Sequence, residues 1–227
     1  MWAIIKKEVK SYFLSPIGYV FIGLFFAVYS LFFYLNVYLY GSTNFGDMFY
    51  DLITIVTFLI PVLTMRLFAE EKKNGTEQLI LTSPRSVRTI TLGKFFATLI
   101  VILISEALTF IHYAILMFFG EPNLTTALVN LLGFTLFSAA YVAFGMFISS
   151  ITENQIIAEI LTTVGLLALW FLPNFLSFMQ TFSLVNAFTS SFATGTISLA
   201  GTVLLVSFTL LFILLTMVVL QRKKSVK

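Results

Sequence analysis

The sequence predicts an all-α membrane protein with six transmembrane helices, and three observations carry that prediction. Of 227 residues, 59% are apolar and only 10% are charged, where a soluble domain carries about 25% charged residues. The apolar residues form continuous runs, not the roughly ten-residue alternating segments of a β-barrel. All thirteen Lys and Arg residues fall on one side of a six-span arrangement.

The first element expected is an amphipathic helix over residues 1–16, lying in the membrane interface. Trp2, Ile5, Val9 and Tyr12 recur at spacings of three, four and three, with Lys6, Lys7, Lys10 and Ser11 on the other side. Ser15-Pro16 marks the turn into the first span. No apolar run precedes Ile17, so no cleavable signal peptide is expected.

The spans are expected near 17–40, 48–65, 95–119, 126–149, 156–177 and 198–220. The second is the weakest. Between Asp51 and Arg66 only Leu52 to Met65 are available, which at 1.5 Å per residue cover about 21 Å. Met48, Phe49 and Tyr50 extend it outward, and Pro61 is expected to kink it.

Lys6, Lys7 and Lys10 precede the first span. Arg66, Lys72, Lys73, Arg85, Arg88 and Lys94 lie between the second and third, and Arg222, Lys223, Lys224 and Lys227 follow the sixth. The positive-inside rule makes that side cytoplasmic, with both termini inside and the chain in the inner (plasma) membrane. Omitting any one span would scatter the basic residues.

The one long polar segment, residues 66–94, reads "RLFAEEKKNGTEQLILTSPRSVRTITLGK". Asn74 followed by Glu77 fits a capping box, with Gly75 and Thr76 at the helix start. Leu79, Ile80 and Leu81 then supply an apolar patch, and Ser83-Pro84 is a second start signal, Ser as N-cap and Pro at the first helical position. That second helix continues past Arg85 and Arg88 through Gly93 and Lys94 into the third span. A helix, a sharp turn and a new helix make a shaped protrusion, and caps with leucines make it a docking surface for a cytoplasmic partner. A loop needed only for topology would require charge but neither feature.

Between Glu159 and Arg222 there is no charged residue. The middle of that stretch, residues 173–198, is aromatic, hydroxyl-rich and slightly polar. It is expected to form short re-entrant helices on the external side, their backbone sheltered by protein.

Chemical constellations are sparse. With no cysteine, disulfides and thiolate sites are excluded. His112 stands alone mid-span, so a packing or hydrogen-bonding role is expected, and no metal site. It lies six positions from Glu106, on a different helix face. Intramembrane acids are functional suspects: Glu106 lies deep in the third span, and Glu159 about one turn from the cytoplasmic edge near Glu153. With no basic residue expected inside a span, hydroxyls or amides are the expected partners of Glu106, in a translocation or interface role or a purely structural contact. No phosphate-cradling glycine motif occurs, so the chain is not expected to be an enzyme and any ATP is hydrolysed on another chain. The basic residues flank spans and signal no nucleic acid.

The segment "RLFAEEKKNGTEQLILTSPRSVRTITLGKFFATL" closely resembles the signature of ABC-2 type transporter permeases. In that family a second span ends in an F-x-x-E-[KR]-x-x-[GT]-T-like segment followed by a coupling helix, a "TSP" turn and an "lGK" lead into the third span. "KKEVKSYFLSPIGYV" and "GTISL" look most like the branch with gliding-motility and nitrous-oxide-reductase-maturation permeases. The resemblance implies a single ABC-2 transmembrane domain over 1–227, paired as a homodimer or with a sister permease. ATP and Mg would sit on a separate ATPase subunit. The coupling helix would fall on Gly75 to Thr82, and the family's acid before it on Glu70 or Glu71. The expected activity is ATP-driven export of an amphiphilic substrate. The competing expectation is a mechanotransmitter or assembly scaffold acting on an external or periplasmic partner.

Overall fold

In the computed structural model, residues 1–39, 41, 45–77, 85–120 and 122–225 are described, and every regular element among them is helical. The elements are α1 (Trp2–Leu14), α2 (Pro16–Tyr34) with a π-helical extension (Leu35–Leu39), α3 (Phe45–Thr64), α4 (Arg66–Lys73) and α5 (Val87–Leu108). There follow α6 (Phe110–Leu116), α7 (Leu124–Ile151), α8 (Gln155–Phe175), α9 (Leu184–Thr189) and α10 (Leu199–Ser225). Among the described residues, six helical stretches are long and apolar enough to cross a bilayer: Pro16–Leu39, Phe45–Lys73, Val87–Leu116, Leu124–Ile151, Gln155–Phe175 and Leu199–Ser225.

Local chemistry starts most of these helices. Ser15 is extended and Pro16 opens α2, where a missing N–H costs nothing. Asn123 accepts the N–H groups of Thr125 and Thr126 at the head of α7, and Asn154 accepts that of Ile156 at the head of α8. The second span is longer than the 48–65 expected from the sequence, its helical stretch running from Phe45 to Lys73. Asp51 does not bound it, because Asn36 Nδ2 donates to Asp51 Oδ2 at 2.8 Å and lets α3 run for 20 residues, about 30 Å.

The third span also starts earlier than position 95. Its helix begins at Val87, so Arg88 and Lys94 lie on it instead of before it. Lys94 is 2% exposed. A basic residue therefore does sit inside a spanning helix, against expectation, and its partners explain how.

α7 is the central helix, packed on α3, α4, α5, α8 and α10. Its Phe134 and Phe137 are fully buried with Phe25, Phe49 and Phe188. Helices in lipid gain little from hydrophobicity and associate through close packing, which small residues permit. Gly145 is such a point. A Cβ there would lie 2.2 Å from Thr64 Oγ1 of α3.

The segment between α8 and α10 is built of short helices, as the sequence suggests: 3₁₀ turns at Ser177–Phe182 and Phe192–Thr194 with α9 between them. Phe188 and Phe192 are fully buried, and the Phe188 ring meets those of Phe134 and Phe137 at 6.2 and 6.0 Å. Phe175, Phe178 and Phe182 point outward.

Candidate functional site

The polar residues of α1, α4 and α5 converge at one end of the bundle. α1 lies along α5, and the two come close at Gly93: a Cβ on it would sit 2.7 Å from Ile4 Cγ2. One residue further on, the Lys94 ammonium reaches both Glu71 Oε1 at 2.8 Å and Glu8 Oε1 at 3.2 Å. Three elements far apart in sequence are thus joined at one buried cation. Burying an ammonium is tolerable only with such paired, hydrogen-bonded carboxylates.

The face of α1 used for this contact corrects the sequence reading. Ile5, Glu8 and Tyr12 turn toward the bundle, while Trp2 is 73% exposed and Val9 half-buried. The expected apolar stripe is split, because Glu8 shares the inward face with Ile5 and Tyr12. Tyr12 is 2% exposed. Its hydroxyl donates to the Leu63 carbonyl at 2.9 Å and lies 3.0 Å from Thr98 Oγ1. Burial raises its pKa above the ordinary tyrosine value.

Arg66 closes the other side. Its guanidinium donates to Glu70 Oε2 at 2.9 Å, to Ser15 Oγ at 2.7 Å and to Ser11 Oγ at 3.3 Å. It also stands 5.6 Å from the Tyr12 ring centroid. A cavity of about 320 Å³ lies between α1 and α4, lined by Lys7, Glu8, Arg66, Glu70, Glu71 and Lys94 among others.

The break between α3 and α4 falls at Met65, and a helix start there leaves orphan backbone donors. A different helix supplies the cap. Ser149 Oγ of α7 accepts the N–H of Phe68 at 3.0 Å and of Ala69 at 3.1 Å, and donates to the Met65 carbonyl at 3.0 Å. Lys72 in turn binds the last carbonyls of α7, that of Ser150 and that of Thr152 at 2.7 Å. A cation at a helix C-terminus is favourable on dipole grounds as well.

α4 ends in a Schellman motif. The Gly75 N–H bonds to the Lys72 carbonyl at 3.0 Å and the Thr76 N–H to the Glu71 carbonyl at 2.8 Å, with Gly75 at φ +70°. Asn74 is therefore the C-cap of α4 and not the N-cap of the next helix, and the capping box is not formed. The Asn74 N–H goes to the Glu70 carbonyl, and Glu77 turns to Lys223 of α10 at 3.2 Å. The next start is displaced too. The N-cap of α5 is Ser86, whose Oγ accepts the Thr89 N–H at 3.3 Å, not Ser83.

Compared with protein families, residues 37–220 match the profile described as ABC-2 family transporter protein. The chain belongs to the ABC-2 family. Comparison with the curated proteins finds no match. As an ABC-2 permease, a multi-pass membrane subunit of an ABC transporter, it carries the cluster of Glu8, Arg66, Glu70, Glu71 and Lys94, a polar clasp, at the segment that leads from the second span to the third.

Of the residues singled out in this permease from sequence, Glu70 and Glu71 lie within the clasp. Asn74, Gly75 and Thr76 form the turn below it, and Glu77 joins α10. The Arg85 carbonyl accepts from Lys224 Nζ at 3.4 Å. Leu79, Ile80, Leu81, Ser83 and Pro84 lie outside the described residues. Glu106 is elsewhere, buried between α5 and α7, where it accepts the Thr135 hydroxyl, a partner of the expected kind. His112 Nε2 lies 2.9 Å from Ser30 Oγ, with the rings of Phe26, Tyr29 and Phe33 about it. Glu159 is half-buried near the start of α8 and is not brought to the clasp.

Sequence reasoning missed Glu8, Tyr12, Lys94, Ser149 and Lys72 as partners. A signal existed for Glu8, the one acid on the inward i, i+3, i+7 face of α1. None existed for Ser149, which is 80 positions from Ala69.

Proposed function

We propose that this ABC-2 permease receives a separately encoded ATPase subunit on residues 74–88 and passes its motion to the spans through the Lys94 clasp. In this reading the basic end of the bundle is cytoplasmic, both termini lie inside, and residues 1–227 form one transmembrane domain working as a pair. ATP and Mg belong to the partner. The cargo is amphiphilic and moves outward.

The observation that carries the reading is the bridging of Glu8, Glu71 and Lys94 next to that segment. A push on residues 74–77, directly after α4, cannot move α4 alone. It must carry α1 and α5 with it, while Ser149 ties the same helix to α7. The two helices leading to the second and third spans are thereby coupled at the point where a cytoplasmic partner would press.

Leu79→Asp, placing a charge in the apolar patch, is the direct test. Loss of ATPase-subunit co-purification or of stimulated ATP hydrolysis supports docking there, and wild-type behaviour in both assays rules it out. A second reading, force transmission to an external partner, draws support from the far segment, whose buried Phe188 and Phe192 make it a firm surface. Transport in liposomes holding only this chain and its ATPase separates the two.

A further inference from the structure

At the end of the bundle opposite the clasp, two cavities of different chemistry share a wall. One, of about 380 Å³, is an apolar groove between α8 and α10, lined by Leu169, Pro173, Met179, Phe182, Phe208 and Leu211, with Leu204 and Ser207. The other, of about 180 Å³, is lined by Gln180, Thr181, Ser183, Asn186, Ser190 and Ser198, with Ala187, Ala200, Gly201 and Leu204. Leu204 belongs to both. The Ser177–Phe182 turn also faces both, giving Met179 and Phe182 to the groove and Gln180 and Thr181 to the polar cavity.

The polar cavity holds hydroxyls and amides and no charged group. Some hydroxyls are committed: Ser190 Oγ donates to the Asn186 carbonyl at 2.6 Å, and Ser183 Oγ accepts the Asn186 N–H at 3.2 Å. The Asn186 and Gln180 side chains are exposed, and among the described residues no bond engages their amide groups. Each offers two donors and an acceptor to a ligand. Phosphate or carboxylate recognition would call for Arg, Lys or a bidentate partner. The sequence places none between Glu159 and Arg222.

We propose that this pair of cavities is one binding site for an amphiphile with an alkyl chain and an uncharged, polyhydroxylated headgroup, of the glycolipid class. The chain lies in the groove against Leu169, Pro173, Phe208 and Leu211, and the headgroup bonds Asn186 and Gln180 across Leu204. A groove of this size is within the range of small-molecule sites. A charge-free polar pocket at its end distinguishes it from a surface that merely faces bilayer. That the amphiphile is cargo rests on the permease reading; that it binds here does not.

The test uses the full chain in phosphatidylcholine nanodiscs, without ATP or any ATPase, and a diazirine-bearing alkyl glucoside as probe. Labelled peptides are mapped by mass spectrometry with dodecyl maltoside or dodecylphosphocholine as competitor. Labelling is expected on residues 169–173 and 204–211, displaced about tenfold more readily by the maltoside. Ser207→Trp, an exposed position that fills the groove, is expected to cut labelling about tenfold, and Asn186→Leu to erase the preference for the maltoside.

Equal labelling at Leu214 and Val218, elsewhere on the exposed face of α10, would show bulk lipid and overturn the site. Equal competition by both detergents would overturn the headgroup assignment. Disulfide formation between copies through Phe208→Cys, with no labelling, would assign the groove to a second copy instead. Specific labelling in a protein that fails to couple to an ATPase would sink the proposed ATPase-driven export and leave this site standing.

Discussion

Lys94 of α5 and Glu71 of α4 meet at 2.8 Å in a setting where the lysine side chain is 3% exposed and the glutamate 16%. Glu8 of α1 completes the group from the other side. Replacing a buried pair by apolar groups is often tolerated, whereas removing one member strands the other. Lys94→Met is therefore expected to cost about 3 kcal/mol, read as a fall in unfolding temperature in detergent. The triple replacement Glu8→Gln, Glu71→Gln, Lys94→Met should recover much of it. Equal loss in both variants would mean that packing, not charge, holds the clasp.

Ser149 gives a sharper expectation. Ser149→Ala leaves two N–H groups and one carbonyl without their partner in a buried position, at about 1–3 kcal/mol for each stranded group before relaxation. Hydrogen exchange at Phe68 and Ala69 should accelerate while that in the middle of α7 does not change. Uniform acceleration would instead indicate general loosening.

At Gly93 two effects oppose each other. Alanine gains roughly 1 kcal/mol of helix propensity over glycine, but its Cβ meets Ile4 Cγ2 at 2.7 Å and Ile4 Cβ at 3.0 Å, the stiff, branched root of that side chain. The clash is expected to win, and Gly93→Ala should be destabilising by about 1–3 kcal/mol as overpacking. Gly93→Val adds two further methyl groups at the same contact and should detach α1, measured as faster proteolysis at the Lys6 to Lys10 segment.

Gly145 is a second close approach, where the facing atom belongs to a short side chain that is hydrogen-bonded to its own helix. Thr64 Oγ1 lies 2.2 Å from the added Cβ and Thr64 Cβ 2.8 Å from it. Gly145→Ala is thus expected to cost about 1–3 kcal/mol as overpacking, and Thr64→Gly in the same chain should restore stability. An unchanged unfolding temperature for the single variant would disprove the close α3–α7 approach.

Tyr12 yields a pH expectation. Its folded pKa lies above the unfolded value because burial disfavours the phenolate. Its stabilising contribution is therefore constant below the ordinary tyrosine pKa of about 10 and is lost as pH rises through the folded value. Tyr12→Phe should flatten that alkaline decline, with absorbance of tyrosinate following the titration.

Much of this molecule is legible in its sequence, for a local reason. A spanning helix satisfies its own backbone, so length and hydropathy of a single segment decide whether it forms. That is why six spans, the turn at Ser15-Pro16 and the short helices before the last span follow from composition alone. Where the sequence misleads, the deciding partner is remote. Asp51 reads as a charge that weakens the second span until Asn36 bonds it, and Lys94 reads as a flanking charge until Glu8 and Glu71 surround it.

Asn74 and Gly75 show the same limit at short range, since one tripeptide signals a helix start as well as a helix stop. Positive φ at Gly75 and the bonds back to Glu71 and Lys72 decide for the stop. The sequence by itself determined the membrane class, the span count and the position of the one long polar segment. Only the tertiary structure decided that α1, α4, α5 and α7 form one mechanical unit there. A buried charge and orphaned helix-end donors accept whatever complementary group the fold brings near, and spacing along the chain does not encode which group that is.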